Sequence, residues 1–230
     1  MNTRISSVFT LVFRHPLLLF VAVLFAVTLY VASAQAGLDE IENPWWILTM
    51  GALILIPPFF DGLFIRLVHG LKTGKPLVLR AAIASILPCY GRLVMIGVLV
   101  SLGVLLGVSL FLVPGIYLGM RWIFYRQGIV LDGAGGVASL RISIERTRGW
   151  RAIVSLICSL AIVYTPTFII VYAVLTLPLG RVGDVLVIAA SALTFAWVNT
   201  LLTDLYLRTG AATGERGKEQ SKEGGTDGRL

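Results

Sequence analysis

The sequence predicts an all-α, polytopic membrane protein: six transmembrane helices arranged as three hairpins, with amphipathic interfacial helices on the cytoplasmic side. Three observations predict it. Hydrophobic residues make up 57% of the 230 residues and charged residues 13%, against roughly 45–50% and 25% in soluble domains. The mean hydropathy is +0.89, and a soluble chain of this size would lack the polar residues to cover its surface. Apolar runs of the length that carries a helix across a ~30 Å hydrocarbon layer recur along the chain.

The first span is the uncharged run Pro16–Ala36, and the second is Trp45–Val68, interrupted by Asp61 and loosened by Pro57-Pro58. Leu93–Met120 is uncharged for 28 residues, too long for one upright span at ~1.5 Å per residue. Pro114-Gly115 offers a break, since Pro cannot continue a helix and Gly tolerates turn dihedrals. Two helices are therefore expected, 93–113 and 116–131. Residues 152–177 and 185–207 complete six spans.

Charge sets the expected orientation. The chain carries 19 Lys+Arg against 12 Asp+Glu, with a pI near 9.8. With six spans and both termini cytoplasmic, one base (Arg181) lies outside, two (Arg121 and Arg126) lie within the fourth helix, and sixteen lie on the inner side. The first outer loop carries Asp39, Glu40 and Glu42 and no base. Basic residues accumulate on the cytoplasmic side of membrane proteins, and Trp45 and Trp46 at a span end suit the aromatic belt. The same bias accounts for the positive charge without nucleic acid, and localisation to the cytoplasmic membrane follows.

The N-terminus fits two readings. Arg4, Arg14, an apolar run and Ala32-Ser33-Ala34-Gln35-Ala36 imitate a cleavable signal. Ile5, Val8, Phe9, Val12 and Phe13, however, follow helical spacing with Arg4, Ser7 and Arg14 opposite. That pattern marks an interfacial helix leading into a retained span. The spacing recurs at Leu79, Ala82, Ile83, Ile86 and Leu87, with Arg80 on the polar side. A narrower stripe of Val137, Leu140 and Ile144 is faced by Arg141, Glu145 and Arg148, which can pair at i,i+4 and i,i+3. The plan is thus a surface helix followed by a membrane hairpin, three times over. From Thr209 to Leu230, six Gly, four acids and four bases predict a disordered cytoplasmic tail.

Ionisable groups at membrane depth are the default functional candidates. Asp61 and Arg126 fall at similar depth, which permits an ion pair, and Arg121 lies closer to the outer side on another face. These three define a candidate intramembrane polar site, joined by Asn199 and Asp204 on the last helix. Ala189, Ala192, Ala196, Asn199 and Thr203 form a small or polar stripe there, as do Gly97/Ser101 and Gly103/Gly107 in the third helix, and close helix packing explains both. Cys89 and Cys158 have no CxxC and no neighbouring ligand, so no metal, cofactor or redox role is expected. His15 and His69 are the only histidines, at expected membrane boundaries. HExxH, G-x-S-x-G and P-loop motifs do not occur, and Gly133–Gly136 precedes a surface helix rather than cradling phosphate. No catalytic constellation emerges.

Three stretches carry a family resemblance: Leu112-Val113-Pro114-Gly115-Ile116-Tyr117-Leu118-Gly119-Met120-Arg121-Trp122, Val130-Leu131-Asp132-Gly133, and Leu140-Arg141 with Glu145-Arg146-Thr147-Arg148-Gly149. They resemble the membrane domain of glycerophosphoryl diester phosphodiesterases and the related YciC-like bacterial membrane proteins. Relatives tend to have Glu at the position of Asp132, an aromatic at Ile144 and an apolar residue at Arg146. The phosphodiesterase's His-Arg-Gly signature does not occur here, because His15 is followed by Pro16. The resemblance implies a six-span membrane module without the enzyme.

The functional expectation is a non-enzymatic module that engages anionic membrane lipids, or another membrane protein, through a basic cytoplasmic face including Arg80, Arg141 and Arg148. The alternative expectation is a small-molecule or lipid transporter or channel that uses Asp61, Arg121 and Arg126.

Overall fold

The computed structural model describes residues 10–38, 45–177 and 180–223, and among them there is no strand. Residues 10–14 form a helical turn that ends at His15, whose carbonyl accepts a hydrogen bond from the Leu18 N–H at 3.0 Å. Eight helices follow: α1 (Pro16–Leu38), α2 (Trp45–Lys72), α3 (Leu79–Leu110), α4 (Leu112–Trp122), α5 (Tyr125–Leu131), α6 (Gly136–Arg146), α7 (Trp150–Thr176) and α8 (Gly180–Glu223). Among the described residues, four segments are long and apolar enough to cross a membrane: Gly51–Lys72, Leu79–Leu110, Ile153–Val174 and Gly180–Gly210. Pro16–Ala32 is a shorter apolar stretch. The protein is helical and built to be embedded in a membrane. The expected N-terminal interfacial stripe is described only in part: Val12 is buried, Phe13 is exposed, and Ile5, Val8 and Phe9 lie outside the described residues, as do Asp39, Glu40 and Glu42.

α8 forms the centre of the assembly, in contact with α1, α2 and α7. Phe195 stacks on Phe25 of α1 with ring centroids 4.1 Å apart, and meets the edge of Phe64 of α2 at 5.3 Å. On the α7 side, Leu156 clusters with Leu202 and Tyr206, and Val163 with Leu201. Rising numbers on one helix meet falling numbers on the other, so the two helices run antiparallel. The stripe expected on the last helix is the packed one: Ala192, Ala196, Asn199 and Thr203 are buried, while Ala189 is exposed. α2 remains helical through Pro57 and Pro58, and the Leu55 carbonyl accepts a hydrogen bond from the Tyr90 hydroxyl at 2.7 Å.

The chain reverses between α3 and α4, but not where the Pro-Gly pair suggests. The break is Phe111, in extended conformation at φ −155° and ψ 131°, while Pro114 and Gly115 lie in the first turn of α4. Proline is tolerated there because an N–H in the first turn has no helical partner to lose. Gly115 has a different role from the turn residue expected of it. A Cβ at Gly115 would come within 2.4 Å of the Val108 N, and one at Gly107 within 2.8 Å of the Gly115 Cα. The two glycines let the backbones touch immediately after the bend. Further along, Val104 meets Gly119, and Trp122 fills the space that a Cβ on Gly103 would need. This descending register makes α4 an antiparallel return along α3.

Two more expectations change. The sequence suggests one helix over 116–131, whereas α4 and α5 are separate helices of 11 and 7 residues. At the break, Ser143 of α6 donates its hydroxyl to the Arg121 carbonyl at 2.7 Å and accepts the Phe124 N–H at 3.0 Å. A side chain inserted into the ladder replaces the lost backbone bonds, a recognised cause of helix interruption. The amphipathic stretch 79–87 is not a separate surface helix either. It is continuous with the span in α3, whose 32 residues reach about 48 Å at ~1.5 Å each.

α6 runs back along α5 and α4: Gly128 meets Ser139, Phe124 meets Ser143 and Arg121 meets Thr147. Its buried face is Ser139, Ser143 and Thr147. Leu140 is partly covered, and Val137 and Ile144 point away from the protein. Beyond Gly210 α8 continues as far as Glu223, and residues 224–230 of the expected tail lie outside the described residues. Ala, Glu, Arg, Lys and Gln predominate over 211–223, and their helix propensity carries the helix past its glycines.

Candidate functional site

α2, α5 and α8 bring three of the expected polar residues together. Asp61 is 3% exposed. Its Oδ2 lies 2.5 Å from Arg126 Nη1, and its Oδ1 accepts a hydrogen bond from Asn199 Nδ2 at 3.2 Å. Arg126 Nε also donates to the Tyr125 hydroxyl at 2.8 Å. An isolated charge at this depth is costly. Pairing it with an opposite charge and adding an amide donor is how a buried ion becomes tolerable. Residue counting allows the contact between Asp61 and Arg126.

Two clefts meet at this cluster. One, of about 410 Å³, is bordered by α2, α3 and α5 and is lined chiefly by Leu, Ile, Val and Pro side chains with Ser101, Tyr125 and Arg126. The other, of about 240 Å³, is lined by Trp122, Gln127, Tyr164 and Asn199 among others. Tyr125 and Arg126 border both. Arg126 keeps 37% of its side chain accessible, against 5% for Asp61, so the clefts meet a guanidinium and not a carboxylate. Gln127, beside it, is buried, and among the described residues its Oε1 has no hydrogen-bond partner; the same holds for Thr203 Oγ1.

Arg121 does not join this site. It donates to the Tyr117 hydroxyl (2.7 Å from Nη2) and to the carbonyls of Ile144 and Thr147 (3.2 and 3.3 Å) at the C-terminal end of α6. The last carbonyls of a helix have no intrahelical donors and carry negative partial charge, so a cation is drawn there. The expected trio of Asp61, Arg121 and Arg126 is therefore a pair, Asp61 and Arg126, with Asn199 as the third member.

Asp204 does not join it either. It lies 2.6 Å from Lys72 and 2.8 Å from Arg208. Five residues separate it from Asn199, and at about 100° each this turns it some 140° away and further along the helix. Nearby, Arg146 pairs with Asp132 at 3.2 Å, donates to the Tyr206 carbonyl and lies over the Tyr206 ring at 3.5 Å. The Tyr206 hydroxyl donates to Asp132. Arg92 donates to the carbonyls of Gly133 and Ala134, so the glycine-rich loop is held by its acceptors.

The three basic surface residues are all exposed, with 84% of the Arg141 side chain accessible, and Arg141 and Glu145 form the expected i,i+4 pair at 3.4 Å. Cys89 is buried and Cys158 exposed, both free. Among the described residues no group of three or more His, Cys, Asp or Glu is placed to hold a metal ion. Sequence reasoning missed Lys72, Tyr206 and Ser143 as partners of these polar groups. Only Ser143 had a local signal, because Ser139, Ser143 and Thr147 repeat at i, i+4 and i+8. No family model matches the chain, and neither a curated protein nor a solved structure is similar enough to count as a match.

Proposed function

We propose that the chain is a non-enzymatic, six-span module of the cytoplasmic membrane that binds anionic lipid headgroups through a basic cytosolic face. In this reading α4 and α5 together form the return leg of the second hairpin, and both termini lie on the cytosolic side. The observation that carries it is the outer surface of α6. There the apolar Val137 and Ile144 are 74% and 41% exposed, beside exposed Arg141 and Arg148. An apolar stripe flanked by arginines is the surface an interfacial helix offers to lipid. Arg80, exposed at the start of α3, adds to the same charge. Each base near an anionic surface contributes about 1 kcal/mol. The resemblance of residues 112–149 to the membrane domain of glycerophosphoryl diester phosphodiesterases supports the same plan.

Reversing charge at all three sites (Arg80→Glu, Arg141→Glu, Arg148→Glu) is expected to remove at least about 3 kcal/mol of attraction. The measurement is the amount of phosphatidylglycerol that co-purifies with the protein, quantified by lipid mass spectrometry. An unchanged amount in a folded triple variant sinks the proposal.

A further inference from the structure

The cleft of about 410 Å³ between α2, α3 and α5 is not accounted for by the basic face. Its volume is that of a small-molecule site, within the ~300–1,000 Å³ range such sites occupy. Its walls are Ile54, Pro57, Val98, Leu102 and neighbours, and its one charged lining residue is Arg126. From Val94 to Leu105 it follows α3 over twelve residues, about 16 Å at ~1.5 Å per step, the shape of a groove for an extended chain rather than a compact solute.

At its charged end, Asp61 occupies Arg126 Nη1 and the Tyr125 hydroxyl occupies Nε. No partner for Nη2 is found among the described residues. A guanidinium donor left unmet at membrane depth is unfavourable, because hydrocarbon offers no acceptor. Asp61 and Asn199 do not line this cleft, so it meets the positive end of the Asp61–Arg126 pair.

We infer that this cleft binds a long-chain fatty acid, its single acyl chain along Ile54, Val98 and Leu102 and its carboxylate on Arg126. The chain removes the apolar walls from contact with bulk lipid disorder, and the carboxylate supplies the acceptor that Nη2 lacks through a charge-assisted hydrogen bond. One groove and one guanidinium match one chain and one anionic head. A cationic amphiphile is repelled, and a neutral one offers only an uncharged acceptor, without the charge assistance a carboxylate supplies. None of Arg80, Arg141 and Arg148 lines the cleft, so this inference and the basic-face proposal stand or fall separately.

The test uses the full chain in nanodiscs of phosphatidylcholine, titrated with hexadecanoate and followed by equilibrium binding. Saturable binding to one site is expected, with hexadecanol and hexadecyltrimethylammonium at least about tenfold weaker, a difference of ~1.4 kcal/mol. Ser101 is an exposed wall residue, so Ser101→Phe narrows the groove without disturbing the interior. It is expected to weaken hexadecanoate binding by about tenfold. The paired variant Arg126→Gln with Asp61→Asn keeps the centre neutral and is expected to lose the preference for the acid over the alcohol. Hexadecanoate binding that does not saturate, that equals hexadecanol binding, or that survives Ser101→Phe unchanged overturns the inference. So does saturation of the groove by phosphatidylglycerol in place of the fatty acid.

Discussion

Two of the polar clusters described between the helices are made of different materials. At the centre, Asp61, Arg126 and Asn199 balance charge with charge across three helices. At the junction of α4 and α5, Ser143 and Thr147 balance backbone with hydroxyls, and Arg121 covers carbonyls of α6. The first cluster joins residues far apart in the chain, 61 with 126 and 199. The second joins residues about twenty apart, 121–124 with 143–147. Losing a partner in the first orphans an ion, whereas in the second it orphans a peptide group. The difference shows which cluster holds the assembly together and which shapes one connection.

Three substitutions rank that comparison. Asp61→Ala leaves Arg126 without its counter-ion. The expected loss is about 3 kcal/mol, the low end for an orphaned buried charge, because part of the guanidinium remains accessible. Reversible unfolding in mixed micelles reads the loss, and a cost below that of the next variant would reverse the ranking. Ser143→Ala removes both hydrogen bonds at the α4–α5 break and is expected to cost about 1–2 kcal/mol in the same assay. Faster amide exchange at Phe124 should accompany it, since that N–H loses its acceptor. Glu145→Ala breaks the exposed pair with Arg141 and is expected to change stability by no more than about 0.5 kcal/mol. A larger effect would mean that the outer face of α6 is tied to the rest of the protein.

The helical class and the long apolar segments were legible because hydrocarbon demands apolar length, and length is a property of the sequence itself. The pairing of Asp61 with Arg126 was within reach for the same reason, since helical rise converts residue number into depth. Arg121 was misassigned because depth says nothing about which neighbour a face will meet. Its partners, the carbonyls of Ile144 and Thr147, belong to a helix whose return along α4 has no local signature. Pro114-Gly115 marked the neighbourhood of the reversal correctly, but not the role of its residues. A glycine that opens a turn and a glycine that admits a neighbouring backbone read alike until the neighbour, Gly107, is in place.

Residue order alone therefore determined that this chain forms apolar helices, roughly where they run, and which two ionised groups could pair. Those properties follow from transfer energies and rise per residue, which are sums over local stretches. Tertiary structure decided the break at Phe124, the hydroxyl face of α6, the company of Arg121 and Asp204, and the clefts that meet at Arg126. Each of these depends on an orphaned donor or acceptor finding its match on another helix, and that match exists only once the helices have packed.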